Sequence, residues 1–265
     1  MSQRIVPHLK LPRSPLIFVL AQVKMTPVLG IDSKIPMLQE AFRKQGFPRL
    51  AERRIESTVR STDLQTVQQD TRRQWEFIDK EKNASFLVDA EGLNYQVTRY
   101  DVFETFIKAM ESSLRIFADC VQPNLVTRLG LRFVDLVIPS GGKEIRSYFN
   151  DSLRGFAIDA ADERKAFFSE SVHITGPKKL FVHRYVEAKS GFAFPPDLLP
   201  VQLTFPLNLQ QNSPFGLLDM DHMLNREFDF SVDEIIPGFR DLHKHQTKAF
   251  RASVTDEAIE EWKTL

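Results

Sequence analysis

From Val126 to Ile138 the chain reads Val-Thr-Arg-Leu-Gly-Leu-Arg-Phe-Val-Asp-Leu-Val-Ile, and this segment constrains the fold more than any other. On a pleated strand, side chains alternate in direction. Leu129, Leu131, Phe133 and Val137 therefore share one face, while Arg128, Gly130 and Arg132 share the other. A strand this apolar belongs near the middle of a sheet. Burying an unpaired guanidinium there costs on the order of several kcal/mol, so both arginines need carboxylates, carbonyls or a bound anion.

The rest of the chain is rich enough in apolar residues to surround such a strand. Of its 265 residues 42% are hydrophobic and 26% charged, as in ordinary globular proteins. At this length about three quarters of the unfolded surface is buried on folding. Phenylalanine outnumbers tyrosine 22 to 4, which points to packing rather than to a polar aromatic binding face. Lys plus Arg equals Asp plus Glu at 35 each, so no global field draws the chain to nucleic acid or anionic lipid. Cys120 is the single cysteine, which rules out an intrachain disulfide and a cysteine-based zinc site; it ends a helical apolar pattern and is expected to be a buried filler. The apolar run from 16 to 21 is too short to span a membrane and lacks the flanks of a signal peptide, so a cytoplasmic location with no membrane association is expected.

Periodicity predicts a strand over 15–28, stopped by Pro27, then a helix from Ser33 to Gly46 with Pro36 in its first turn. Residues 49 to 74 are polar and arginine-rich and read as an extended, mobile segment or an edge strand. Short strands follow over 75–79, 84–90 and 93–98, the last two joined at Glu91-Gly92. Asp101 with Glu104 resembles a capping box, opening a helix to about 119 with Phe103, Phe106, Ile107, Met110, Leu114 and Phe117 on one stripe. Beyond the two-arginine strand, strands are predicted over 171–175, 180–188, 201–207 and 217–224. A long helix follows from Ser231 to Ala252, again with capping-box spacing at Ser231 and Glu234, and Thr255 caps a short terminal helix. The expected fold class is α+β: a mainly antiparallel sheet in two sequential halves, each covered by a long helix, forming a single compact domain over 1–265. The halves 1–140 and 141–265 repeat the same logic loosely enough to accommodate a diverged duplication.

Several of these stretches, namely Pro15 to Val23, Phe42 with Gly46-Phe-Pro-Arg49, Arg128 to Phe133, Leu217 to Asp221, and Leu242-His243 with Phe250 and Val254-Thr255, together resemble a sporadically distributed bacterial family of uncharacterised proteins of about this length. The resemblance covers nearly the whole chain and implies a complete stand-alone protein. It brings no reaction and no catalytic residues. The patchy occurrence of that family is similar to that of accessory or defence genes.

Candidate chemistry is sparse. Asp219 and Asp221, two apart on a strand, project to one face as a divalent-metal site needs, but Asp135, Glu187 and His222 cannot be placed beside them, and His222 points away by parity. The competing reading pairs these carboxylates with Arg128 and Arg132 in a structural lattice. Left unneutralised, the same arginines would form an anion pocket for phosphate or carboxylate. His243 and His245 lack the spacing of a helical zinc pair, His173 and His183 have no visible partner, and neither a nucleophile elbow nor a dinucleotide fingerprint is present. The arginines between 43 and 73 interleave with Glu52, Glu56, Asp63 and Asp70, which favours a solvated face over a nucleic-acid patch. Phe192 and Phe194, stiffened by Pro195 and Pro196, form a candidate partner-contact tip.

The expectation is a non-enzymatic binding or accessory protein, without a cofactor, that engages a protein partner, in a bacterial toxin-neutralising or antiviral setting by family analogy alone. The alternatives are a metal-dependent phosphoryl or nucleotide enzyme using Asp219, Asp221, Arg128 and Arg132, and a nucleic-acid binder through the arginines of 49–73.

Overall fold

The computed structural model of the chain describes residues 11–60, 67–155 and 164–264, with the backbone alone at 55–60 and 67–72. The fold is α+β and mainly antiparallel. Strand β1 (Leu16–Met25) leads through a 3-10 turn to helix α1 (Ile35–Lys44). A meander follows: β2 (Arg49–Arg60), β3 (Val67–Ile78), β4 (Ala84–Asp89) and β5 (Gly92–Val97). Helix α2 (Phe103–Val121) then delivers the chain to β6 (Leu125–Val137), the two-arginine strand. In the second half β7 (Ala166–Gly176) and β8 (Lys179–Ala188) precede a long excursion carrying two-residue strands β9 (Gly191–Phe192) and β10 (Gln210–Gln211). Strands β11 (Phe215–Leu224) and β12 (Phe228–Asp229) and helices α3 (Val232–Ser253) and α4 (Asp256–Lys263) complete the chain.

All neighbours in the main sheet are antiparallel, in the order β2-β3-β4-β5-β1-β6-β11-β8-β7, with β12 added against β6. The order is built outward from the β1–β6 seam, where Val19 faces Phe133 and Leu20 faces Arg132. On either side of that seam the chain leaves for the far edge and meanders back, so β1 and β6, the strands from which the two meanders depart, lie innermost. One continuous sheet therefore crosses the boundary between the halves.

Helices α1, α2 and α3 cover one face. Val19, Ala21 and Val23 of β1 and Leu129 and Leu131 of β6 point into this layer. They meet Phe106, Ile107, Met110, Leu114 and Phe117 of α2, whose spacing puts them on one stripe, and Ile235, Phe239 and Leu242 of α3. Much of the phenylalanine excess is spent here. Phe42 meets Phe77 at a tilt (4.8 Å) and stacks on Phe86 (4.9 Å), Phe86 stacks on Tyr95 (4.4 Å) and Tyr95 on Phe106 (4.9 Å). Each such ring contributes about 1.5–3 kcal/mol of burial. Gly238 lets α3 approach β6 closely, since a Cβ there would stand 2.6 Å from Leu129 Cδ1.

The opposite face is crossed by the excursion between β8 and β11. Ala193 and Phe194 pack on Ile17, Phe18, Val134, Leu136, Phe215 and Leu217. The excursion then reaches the other half of the sheet, where Thr204 N–H donates to the Lys82 carbonyl (2.7 Å) and Thr98 Oγ1 donates to the Thr204 carbonyl (2.7 Å). It is a strap rather than a strand over 201–207, because its polar backbone is tied to loops and side chains instead of a ladder. The arginine-rich stretch supplies an edge strand, as one of its two readings expected, with β2 outermost in the sheet. It forms a long hairpin, β2 and β3, in which Trp75 continues β3 instead of starting a new strand.

Neither expected capping box forms, although Ser231 is the N-cap of α3. Val102, not Asp101, is the N-cap of α2, and Ser231 precedes α3 without a side-chain cap bond. The glutamates expected to complete these boxes are drawn into ion pairs, Glu104 with Arg240 and Glu234 with Arg226. Thr255 does cap α4, its Oγ1 accepting from Ala258 N–H at 3.1 Å.

Candidate functional site

The residues singled out in the sequence fall largely on the strap side of the sheet, where they form an ionic row. Asp219 on β11 is buried against Arg132 on β6, with Nε to Oδ1 and Nη2 to Oδ2 both at 2.7 Å. From the strap, exposed Asp197 accepts from the same guanidinium at 2.6 and 3.0 Å. Arg184 on β8 extends the row, donating to Asp219 (3.2 Å) and to Glu170 on β7 (2.6 Å). Four of the five N–H donors of Arg132 are thus directed at carboxylates. Burial opposes the Arg132 charge, but the hydrogen bonds to Asp219 and Asp197 outweigh it and raise the guanidinium above its ordinary value. Reciprocally, the Arg132 hydrogen bonds hold the Asp197 carboxyl below its usual range.

The remaining two candidates do not join this lattice in the same way. Arg128 folds over Gly130, its Nη2 3.6 Å from where a Cβ at that glycine would lie, and its Nε is buried without a hydrogen-bond partner. Asp221 faces Arg132 in register, and burial pushes its carboxyl up while the Arg132 and Arg128 charges pull it down. The anion pocket therefore lacks one of its two proposed arms, since Arg132 is already held by carboxylates. For a metal, Asp219 is likewise committed to Arg132 and Arg184, and among the described residues no three His, Cys, Asp or Glu side chains cluster as ligands. His222 does point away, into the helix layer, where its Nδ1 lies 3.0 Å from the Leu242 carbonyl and its Nε2 2.8 Å from Thr175 Oγ1.

A second polar node lies in the other half of the same face. Glu76, fully buried, is paired with Arg53 and accepts from Ser85 (2.8 Å) and Gln96 (3.0 Å). Sequence reading missed it because these side chains come from four strands. The neighbouring arginines are occupied too: Arg49 donates to the Lys80 carbonyl (3.2 Å), and Arg73 pairs with Glu52 (3.0 Å) and Asp32 and lies over the Trp75 ring at 5.1 Å. Such pairing leaves these cations poorly placed to track a phosphate backbone. The side chains of Arg60 and Arg72 lie outside the described residues.

The aromatic tip divides. Phe192 is half exposed, but Phe194 is buried edge-on against Phe18 (5.4 Å) and Phe205 (5.0 Å), so it anchors the strap and is not a partner contact. Three exposed apolar side chains lie together instead on β7, the outermost strand of the second half. Phe168, Val172 and Ile174 are 60%, 59% and 84% exposed and share one face by parity. They continue the row of Val186, Val182 and Leu180, their cross-strand neighbours on β8. Between them Glu170 is neutralised by Arg184. Among the described residues no strand pairs with the outer edge of β7. The signal was present in the sequence as Phe168, Val172 and Ile174 at even spacing, but alternation alone does not say which strand is terminal.

Comparison with protein-family models, with curated proteins and with solved structures returned no match. Among the described residues no helix is long and apolar enough to cross a membrane.

Proposed function

We propose that this chain is a non-enzymatic binding protein that engages an extended segment of a partner protein along the outer edge of β7. The observation that carries this reading is the exposure of Phe168, Val172 and Ile174 on one face of a terminal strand eleven residues long. Edge strands are normally blunted by lysine, proline or a covering element, because their unpaired N–H and C=O groups are a template for another chain. The β7 sequence Ala-Phe-Phe-Ser-Glu-Ser-Val-His-Ile-Thr-Gly contains no lysine, arginine or proline. A strand added there would take up main-chain hydrogen bonds and cover the three side chains, the usual division between affinity and specificity in strand addition.

The test compares the wild-type chain with a Val172→Lys/Ile174→Lys variant, isolated at native expression level under gentle conditions. A protein recovered stoichiometrically with the wild type and lost from the folded variant is the expected result; sedimentation of the purified chain shows whether that protein is a second copy. Recovery of the wild type as a lone monomer, or equal recovery of the partner by both chains, overturns the reading.

A further inference from the structure

On the helix side of the sheet, across it from the ionic row, a cavity of about 280 Å³ lies between β6, β11, α3 and the segments flanking α2 and β1. Its size is at the small end of ligand pockets, and its walls are mainly apolar, with Tyr100, Phe103, Phe133 and Phe250 among them. Two buried polar groups break this pattern. Asp135 on β6 is 4% exposed and its Oδ2 has no hydrogen-bond partner; Gln246 on α3 is 2% exposed and its Oε1 has none either. The orientation of the Gln246 amide is fixed, because its nitrogen donates to the carbonyls of Leu131 and of Met220 (3.1 Å), which turns the oxygen away from them.

Buried acceptors without donors each cost about 1–3 kcal/mol and are rare enough in native interiors to need a cause. We propose that the cavity binds a small organic amine, its protonated nitrogen donating to Asp135 and Gln246 and its apolar body lying against the aromatic walls. An ammonium group supplies several donors at once together with the charge that a buried carboxylate needs, and it is more compact than a guanidinium, as a cavity of this size requires. Aromatic rings favour the same cation through their faces. A carboxylate or phosphate head would instead bring acceptors against Gln246 Oε1, with only the single O–H of a protonated Asp135 to meet them.

The state of Asp135 supplies a readout. Burial pushes its carboxyl up to about 8, so at neutral pH the empty site is mostly protonated and binding of an ammonium expels that proton. The other titratable groups on the walls are Tyr100 and Asp101, ahead of α2, and His243 and Arg251 on α3.

Titration calorimetry of the full chain with phenethylamine at pH 7, in two buffers of different ionisation enthalpy, tests the assignment against 2-phenylethanol and 3-phenylpropionate. Expected are saturable binding of the amine with net proton release, at least tenfold weaker binding of the alcohol, and none of the acid. Asp135→Asn, which keeps the side-chain volume, is expected to abolish both the amine preference and the proton release. Thr247→Phe, which fills the cavity while leaving Asp135 in place, is expected to lose the binding altogether. Equal binding of amine and alcohol, retention of the preference in folded Asp135→Asn, or no saturable binding of either phenethylamine or butylamine overturns the proposal.

Discussion

Arg132 and Asp219 meet side by side, two nitrogens of one facing two oxygens of the other at 2.7 Å, inside a sheet where neither is more than 6% exposed. Ion pairs this deep add little net stability over apolar residues of the same shape, but removing one partner strands the other. Arg132→Leu is therefore expected to destabilise the fold by about 3–5 kcal/mol, while the triple variant with Asp219→Leu and Asp197→Asn recovers most of that loss. Denaturant unfolding of the two variants decides the matter, and equal losses in both would sink the lattice as the reason these residues are present.

Asp135 should make stability depend on pH in the opposite sense from a paired carboxylate. Its carboxyl is pushed up to about 8 by burial, whereas in an unfolded chain it ionises near 4. Folding takes up a proton between those values, so this contribution is intact below about pH 4, declines as pH rises, and is lost above about pH 8. The full cost is on the order of 5 kcal/mol. Asp135→Asn is accordingly expected to gain on the wild type by several kcal/mol between pH 5 and pH 8. Parallel unfolding curves for the two chains across that range would contradict it.

Gly92 opens β5 where the strand passes closest to β1. A Cβ there would lie 2.1 Å from the backbone carbonyl oxygen of Val23, an atom that cannot move without breaking the β1–β5 ladder. Gly92→Ala is expected to cost at least about 2 kcal/mol, more than a surface strand glycine would. An alanine variant as stable as the wild type in thermal unfolding would show that the seam tolerates a shift.

Cys120 is 7% exposed at the end of α2, and burial raises its thiol above the ordinary value. Both effects suppress the thiolate, so reaction with a thiol reagent at pH 8 is expected to be at least about tenfold slower in the native chain than in the unfolded one. Equal rates would place the sulfur at the surface.

How much of this was legible beforehand follows from the range of each interaction. Helices α2 and α3 were predicted almost to their ends because an apolar stripe at helical spacing is written into a single segment, as in Phe103, Phe106, Ile107, Met110 and Leu114. The cap of α2 falls one residue later than expected, and Ser231, though it is the N-cap of α3, makes no capping-box bond, since Glu104 and Glu234 bond to arginines that no local pattern reveals. The parity of β6 and β11 put Arg128 and Arg132 on one face and Asp219 and Asp221 on one face, and both placements hold. Which acid met which base did not follow from parity. Register between the strands, and the arrival of Asp197 from the strap, separated Arg132, which is held by carboxylates, from Arg128, whose Nε has no partner.

By itself, then, the sequence determined the period of each element and hence which side chains share a surface, because alternation and helical repeat are properties of one chain segment. Only the tertiary structure decided that β7 lies at an edge, that Phe194 turns inward while Phe192 does not, and that Asp135 and Gln246 border one cavity. Those outcomes depend on strand order and on packing between residues far apart in the chain, and their energies exist only once the sheet and its helices have come together.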